Sequence, residues 1–248
     1  MVIAQPLLEE LAVQESRGLY STNPSGRRTT RKLILIPGQS VDLAEFIGIF
    51  LGDGGFGNGW QITISFNHRA DHAYAEFIQA LIRQLFGLEA AWRIRKQWGS
   101  ADLVVSSIAL AEFLQELGIP RGPKHRVITG VPGWIANCEA YRVACLRGLM
   151  DTDGCVYQHR YQVNGKWYAY PKLGFAGANP FLCQFVESSM RQLGLPAHRR
   201  QFGTRVFLDD MNAVQRYFKV VGTHNPRHRE RFEKYAGEVP KWSTGAVC

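Results

Sequence analysis

The sequence contains no apolar run long enough to span a membrane, and its first residues lack the pattern of a secretory signal. Its five cysteines are odd in number and form no Cys-x-x-Cys pair, which is typical of reduced thiols rather than of a disulfide framework. We therefore expect a soluble, intracellular protein of the cytoplasm, the nucleoid or an organelle matrix, without a membrane partner.

Acidic residues are scarce relative to basic ones. There are 21 Asp and Glu against 29 Lys and Arg, a formal net charge of +8. This balance indicates a polyanionic partner, with nucleic acid as the first candidate and an anionic membrane as the second. An ordinary basic soluble protein, including a structural RNA-binding protein, would have the same composition. The 248 residues can bury the core of one large domain or of two small ones.

One pattern occurs twice in the chain. Residues 46–54 read Phe-Ile-Gly-Ile-Phe-Leu-Gly-Asp-Gly, and residues 146–154 read Leu-Arg-Gly-Leu-Met-Asp-Thr-Asp-Gly. Each of these two motif segments is a helix-like run that ends in Asp-Gly. Further matches follow in the same order: 82–88 with 190–195, 95–100 with 199–204, and 123–126 with 226–229. A repeat of roughly 100 residues is too long for a solenoid and indicates two similar subdomains in one chain.

Hydrophobic periodicity predicts the same order of elements in both units, namely helix, strands, helix, strands and helix. This order favours an α+β fold in which the strands of each repeat have helices on one side. We expect a basic N-terminal arm at 1–38, a first repeat with the start of a linker at 39–130, and a second repeat at 131–248.

Local signals predict where several of these elements begin and turn. Asp42 is the expected N-cap of the first motif helix, with Glu45 as its capping-box partner. Hairpin turns are expected at 98–100 and at 164–165. The N-terminal arm is expected to be flexible, apart from a short helix within 6–14.

Small residues recur at a spacing of four in both motif segments, as Gly48 and Gly52 and as Gly148 and Thr152. This spacing lets two helix backbones approach closely. If the two helices pack together, Asp53 and Asp153 lie side by side at their ends. Two carboxylates about 4 Å apart repel by several kcal/mol at an intermediate dielectric. They must therefore share a proton or hold a cation, and Mg²⁺ prefers oxygen ligands of this kind.

The paired motif segments resemble the LAGLIDADG homing endonucleases in their single-chain, two-repeat form. Residues 146–154 match the namesake motif closely, whereas residues 46–54 have Leu51 where the first acidic residue is expected. The resemblance covers roughly residues 40–235 and includes the Gly-Thr-His-Asn-Pro stretch at 222–226. It implies that the motif helices form the interface between two pseudo-symmetric repeats, and that each repeat lays a curved antiparallel sheet, with helices on one face, into the DNA major groove.

The resemblance also implies an activity, which is hydrolysis of both strands of a long, nearly asymmetric DNA target by a monomer that uses Mg²⁺ or another divalent cation. It assigns metal binding to Asp53 and Asp153, with backbone carbonyls of Gly52 and Thr152 assisting. Lys124 and Arg227 resemble the family's peripheral catalytic basic residues, with an ordinary phosphate contact as the alternative. The initial Met and the lack of splice blocks favour an intron-encoded protein over an intein.

Polar side chains that alternate along the expected strands are candidates for reading bases, because Arg pairs with guanine and Gln with adenine in the major groove. The alternating sets are Gln61, Thr63 and Ser65; Arg93, Arg95 and Gln97; Gln158, Arg160 and Gln162; and Arg199 and Gln201. Lys96 and Arg200 are expected to contact DNA from the matched hairpins. Any sheet with one solvated face shows polar alternation, but the excess of Arg and Gln over Glu favours DNA.

Two other functions stay open, an RNA maturase and a DNA-binding regulator that does not cleave. The presence of both Asp53 and Asp153 favours the enzyme, because a pure binder has no need of two crowded carboxylates. One feature departs from the family. Its members often place Gln or Lys near the centre of the second strand to order water, and here residues 64–65 and 176–177 are Ile-Ser and Ala-Gly.

Overall fold

The computed structural model describes residues 20–22, 28–30, 32–58, 60–95, 97, 99–122, 129–200 and 202–237. The predicted α+β fold with two repeats is confirmed, since each repeat contains a four-stranded antiparallel sheet and the two repeats meet through the motif helices. Within these ranges, no helix is long and apolar enough to cross a membrane.

The helices are α1 (Val41–Asp53), α2 (His72–Phe86), α3 (Ile108–Glu116), α4 (Gly133–Ala136), α5 (Glu139–Asp153), α6 (Pro180–Gln192), α7 (Met211–Val220) and α8 (Pro226–Gly237). The strands are β1 (Tyr20–Thr22), β2 (Arg28–Thr30), β3 (Gly54–Phe56), β4 (Gln61–Asn67), β5 (Ala91–Arg95), β6 (Ser100–Ser106), β7 (Gly154–Val163), β8 (Lys166–Ala176), β9 (His198–Arg200) and β10 (Arg205–Leu208).

The two sheets have the same topology. Their strand orders are β3-β4-β6-β5 and β7-β8-β10-β9, and every pairing is antiparallel. In β4, Ile62, Ile64 and Phe66 are buried, so the residues that alternate with them lie on the opposite side. We call the sheet face that carries the buried side chains the core face, and the opposite face the outer face.

The small residues of the motif helices bring α1 and α5 into backbone contact, as predicted. A Cβ added to Gly48 would overlap the carbonyl oxygen of Cys145, and one added to Gly148 would lie 2.8 Å from the amide nitrogen of Ile49. No side chain separates the two helices at these points. The buried apolar residues of both repeats consequently form one continuous cluster around this helix pair.

The start of α1 differs from the prediction. The N-cap is Ser40, whose hydroxyl accepts a hydrogen bond from the Leu43 amide at 3.1 Å, and Asp42 lies in the first turn. Glu45 is only 2% exposed, so it is not the partner in an exposed capping box. Its contacts, described below, cross to the second repeat, and a local capping signal could not reveal them.

Several other elements depart from the expectations. Two strands, β1 and β2, pair within the arm that was expected to be flexible, whereas the helix expected within 6–14 lies outside the described residues. Helix α8 was not predicted, because Pro226 indicated a break. Proline is favoured in the first turn of a helix, where its missing N–H has no partner to lose, and α8 begins at this residue.

The cysteines agree with the prediction of reduced thiols. Cys138, Cys145, Cys155 and Cys183 are free, and Cys248 lies outside the described residues. Burial, followed by the nearby Glu45 carboxylate, raises the pKa of Cys145. This thiol therefore acts as an apolar packing group between the motif helices.

Candidate active site

Each motif helix ends at an aspartate and passes directly into a strand. Gly54 and Gly154 cap α1 and α5 in extended conformations, with φ of −79° and −85°, and each is the first residue of its strand. A Cβ on Gly54 would lie 2.5 Å from the Phe50 carbonyl oxygen, and one on Gly154 would overlap that of Met150. Close approach to the preceding helical turn, rather than a positive φ, therefore requires glycine after each aspartate.

The packing of the two helices brings the aspartate ends together. A Cβ placed on Gly52 would lie 3.4 Å from Oδ2 of Asp153 and 2.8 Å from the Cβ of Thr152. The carboxylate of Asp153 thus lies beside the residue that precedes Asp53. Both aspartates are partly buried, at the end of the interface between the repeats.

A cavity of about 400 Å³ opens beside Asp153. Asp153 and Gly52 line it together with Ala176 and Gly177 of the second repeat. Further lining comes from the chain between the repeats, at Gly122 and Thr129. Lys124 lies in the segment 123–128, outside the described residues, so its predicted catalytic role stays a prediction.

The donor set at this site fits a hard divalent cation. In the described ranges, no group of three or more His, Cys, Asp or Glu side chains could hold a metal ion by itself. Mg²⁺ is commonly held by one or two carboxylates, and waters and substrate phosphates complete its shell. The carboxylates of Asp53 and Asp153, at the ends of the two packed helices, are ligands of this kind. The Thr152 hydroxyl donates to the carbonyls of Gly148 and Leu149 at 3.0 Å. The metal contact predicted for Thr152 would therefore be made by its backbone carbonyl.

A buried polar network lies on the other side of α5. Asp151 is 1% exposed and accepts hydrogen bonds from the Thr223 hydroxyl and, at 2.7 Å, from the His224 amide. The Asn225 side-chain amide donates to the Asp151 carbonyl at 3.1 Å and to Oδ1 of Asp71 at 3.0 Å. The 222–226 stretch therefore fixes the second motif helix to the first repeat. Sequence spacing could not indicate this network, since its partners lie more than seventy positions apart.

A second group of charges joins the two motif helices directly. Glu45 of α1 accepts from Arg147 of α5 at 2.5 Å, and its other oxygen lies 2.6 Å from Nδ1 of His224. Burial raises the pKa of Glu45, but hydrogen bonds from His224 and Arg147 outweigh it and hold the pKa below its ordinary value. The ionised form of Glu45 is therefore favoured in the folded protein.

Arg227, predicted as a peripheral catalytic residue, belongs to the buried network. Its Nε lies 3.1 Å from Oδ1 of Asp71, and the Arg227 side chain is 25% exposed. Its backbone amide donates to Oδ1 of Asn225 at 3.1 Å. These contacts give Arg227 a structural task, and a direct part in catalysis stays a prediction.

The outer face of the first sheet carries the side chains expected there. Gln61, Thr63 and Ser65 alternate with the buried residues of β4. Arg93 and Arg95 of β5 pair across from outer-face positions of β6 and share this surface. Gln97 is exposed, and Lys96 lies outside the described residues. The structure thus assembles five predicted DNA-reading side chains on one face.

In the second sheet, the alternation is shifted by one residue relative to the prediction. Val156 of β7 is buried and pairs with Leu173, so the alternate positions Gln158, Arg160 and Gln162 follow the core face. The outer face at this hairpin instead carries Tyr157, His159, Tyr161 and their partners Lys172, Tyr170 and Tyr168. The tip extends past the core and both of its sides are solvated, so polarity does not mark the outer face there.

The last hairpin shows the same shift. Arg199 pairs with buried Val206 and forms an ion pair with Glu187 of α6, on the core face. Arg200 lies on the outer face, where it pairs with Asp209 at 3.1 Å. Gln201 lies outside the described residues.

Comparisons with known proteins support the architecture. No family model matches the chain. The tRNA-splicing ligase RtcB of Pyrococcus abyssi is 29% identical over 133 residues, which is 48% of this chain but only 14% of that protein. The meganuclease I-SmaMI, solved bound to uncleavable DNA, gives a TM-score of 0.52 at 10% identity, over 82% of this chain and 89% of its own.

Full-length WhiA from Thermotoga maritima gives a TM-score of 0.50 at 13% identity, over 82% of this chain and 62% of its own. The meganuclease I-SmaMI and full-length WhiA therefore share this architecture. The chain has the LAGLIDADG fold. At these identities the likeness concerns the fold alone, so the function must be argued from the site.

Proposed function

We propose that this protein is a site-specific, double-strand DNA endonuclease that hydrolyses phosphodiester bonds with a divalent cation, Mg²⁺, held between Asp53 and Asp153. One observation carries the proposal. In a basic protein, two helices pack through glycines so closely that the Asp153 carboxylate lies beside Gly52, the residue before Asp53. Crowding two carboxylates costs stability, and a cation between them offsets that cost.

Separate groups of residues hold the cation and bind the DNA. A bound divalent cation supplies an activated water and neutralises charge at the leaving oxygen. Asp53 and Asp153 hold the cation, and the glycine contacts of α1 and α5 fix their separation. The outer faces of the two sheets bind DNA on either side of this centre.

We also infer a single-chain, monomeric form in which the repeats at 39–130 and 131–248 each bind half of a long target. The outer face of the first sheet is polar and cationic, with Gln61, Thr63 and Arg93. The second sheet differs, because its longer β7–β8 hairpin adds Tyr157, His159 and Tyr161 to the outer face. Unlike surfaces contact unlike base sequences. A nearly asymmetric target is therefore expected.

The test is a cleavage selection on a library of randomised DNA duplexes, with and without Mg²⁺, followed by assays on the recovered target. Wild type should cut both strands only with the cation. Asp53→Asn and Asp153→Asn should lose cleavage while their affinity stays within a few-fold of wild type, because the phosphate contacts persist. Asp42→Asn removes a charge from the opposite end of α1 and should cut normally.

Normal cleavage by either active-site variant would exclude the metal pair. Tight, specific DNA binding with no cleavage under any divalent cation would favour a regulator of the same fold. Stimulation of intron splicing, again without DNA cleavage, would favour a maturase.

A further inference from the structure

Asp102 is a buried carboxylate in an unusual place. It lies on the outer face of the first sheet, in β6, directly opposite Ser65 of β4 and Arg93 of β5. Its exposure is 0%, although this face is the one proposed to contact DNA. A carboxylate repels phosphate and its burial is costly, so its presence here needs a reason.

Both carboxylate oxygens of Asp102 have partners. The Ser65 hydroxyl donates to Oδ1 at 2.8 Å, and the Arg95 guanidinium forms an ion pair with Oδ2. The Arg95 side chain remains 52% exposed. Asp102 is therefore covered, and it can affect a ligand only through its partners, of which Arg95 is the one that carries a charge.

The pairing leaves Arg95 prepared for recognition. A guanidinium has five N–H donors in a rigid plane, and the contact with Asp102 is made through Nη2. The remaining donors include pairs that match the O6 and N7 acceptors of guanine. Holding a long side chain in place before binding also lowers the entropy lost on binding.

We propose that Asp102 is a positioning residue that holds Arg95 for bidentate recognition of one guanine, in the half of the DNA target bound by the first repeat. This inference rests on the proposed function, because it names what one part of the DNA surface reads. It concerns sequence-specific binding and does not depend on cleavage.

The second repeat has no carboxylate at the position that matches Asp102. Gly54 pairs with Ile64 as Gly154 pairs with Phe175, so Ser65 and Ala176 occupy matching positions. Their neighbours on the next strand are Asp102 and Arg205, a carboxylate in one repeat and a cation in the other. Recognition of guanine by an arginine that a fully buried carboxylate holds is thus expected only in the half bound by the first repeat, since Asp209, the partner of Arg200 in the second sheet, is 26% exposed.

The experiment is a binding selection from randomised duplexes without divalent cation, so that cleavage plays no part. The wild-type motif should contain a G·C pair preferred on the order of 10- to 100-fold over other pairs. Asp102→Asn and Arg95→Lys should both remove that preference, and the double variant should lose no more than either one. Arg83→Lys is the matched control, since Arg83 also pairs with a carboxylate, that of Glu89, but belongs to α2 and not to the outer face of the sheet, and the variant should keep this G·C pair.

A folded Asp102→Asn protein with an unchanged preference would overturn the inference. A second measurement needs no variant. Replacing the recovered guanine by 7-deazaguanine removes the N7 acceptor and should weaken wild-type binding by about tenfold. Unchanged affinity for that duplex would also overturn the inference. If the selection recovers a preferred DNA sequence without a guanine that depends on Arg95, only this inference is contradicted. If it recovers no preferred DNA sequence at all, the proposed function is contradicted as well.

Discussion

At the scale of single residues, the motif glycines are required by contact distance. Gly48→Ala would place a methyl group against the backbone carbonyl of Cys145, which cannot move without shifting α5. We expect a loss of about 1–3 kcal/mol in the free energy of unfolding, as for other overpacked contacts. Urea denaturation measures it. Gly38→Ala is the control, since nothing lies within 4 Å of its added Cβ. Equal midpoints for both variants would contradict the close contact.

The Glu45 carboxylate gives a prediction about pH. Its folded-state pKa lies below the ordinary value of 4.5, so the stability it contributes is present above that pH and is lost as the pH falls through the folded value. Glu45→Gln leaves Arg147 without its buried partner and should cost about 3–5 kcal/mol at neutral pH. This difference from wild type should narrow below pH 4.5.

Denaturation at a series of pH values measures the effect. Glu116→Gln is a suitable comparison, because Glu116 is an exposed carboxylate of α3 and has no contact of this kind. A constant difference between wild type and Glu45→Gln from neutral to acid pH would show that the ionisation of Glu45 does not stabilise the fold.

At the scale of elements, local patterns predicted most of the fold. The longer helices other than α8 and most of the longer strands were predicted because buried and exposed side chains alternate with a clear period. The helix pairing was predicted because small residues repeat at a spacing of four. The prediction of which side chains lie on the outer face of the β7–β8 hairpin was wrong. Both sides of the hairpin tip contact solvent, so side-chain polarity does not distinguish them. The contacts of Asp151 were missed because no local pattern marks partners so distant along the chain.

The β7–β8 hairpin gives a prediction that distinguishes the outer-face residues seen in the structure from those expected from the sequence. Tyr161 lies on the outer face, stacked on Tyr168 with ring centroids 5.4 Å apart, and Arg160 lies on the core face. Tyr161→Ala should therefore alter base preference in the second half of the target and cost on the order of 1–3 kcal/mol in binding. Arg160→Ala should reduce affinity uniformly across sequences, by the loss of one charge.

Selection motifs for the two variants, measured beside wild type, provide the comparison. The alternation expected from sequence would be favoured instead if Arg160→Ala changed the base preference and Tyr161→Ala did not.

At the scale of the whole molecule, the net charge of +8 predicts how binding depends on salt. Each phosphate contacted adds about 0.9 to the slope of log affinity against log salt concentration, so a protein that covers a long target should show a slope of several units. Fluorescence anisotropy with duplex DNA over a range of salt concentrations measures it. A nearly flat dependence would exclude an extended phosphate interface.

The direct passage from each motif helix into a strand also bears on how such a protein acquires new targets. With no loop between Asp53 and β3 or between Asp153 and β7, the proposed cleavage centre is joined directly to the sheets that are proposed to contact the bases. Substitutions along the strands then change which bases are preferred, while the position of the cut relative to those bases stays constant. Recognition and cleavage can therefore evolve separately, and a lineage can move to a new site one base pair at a time without losing its activity.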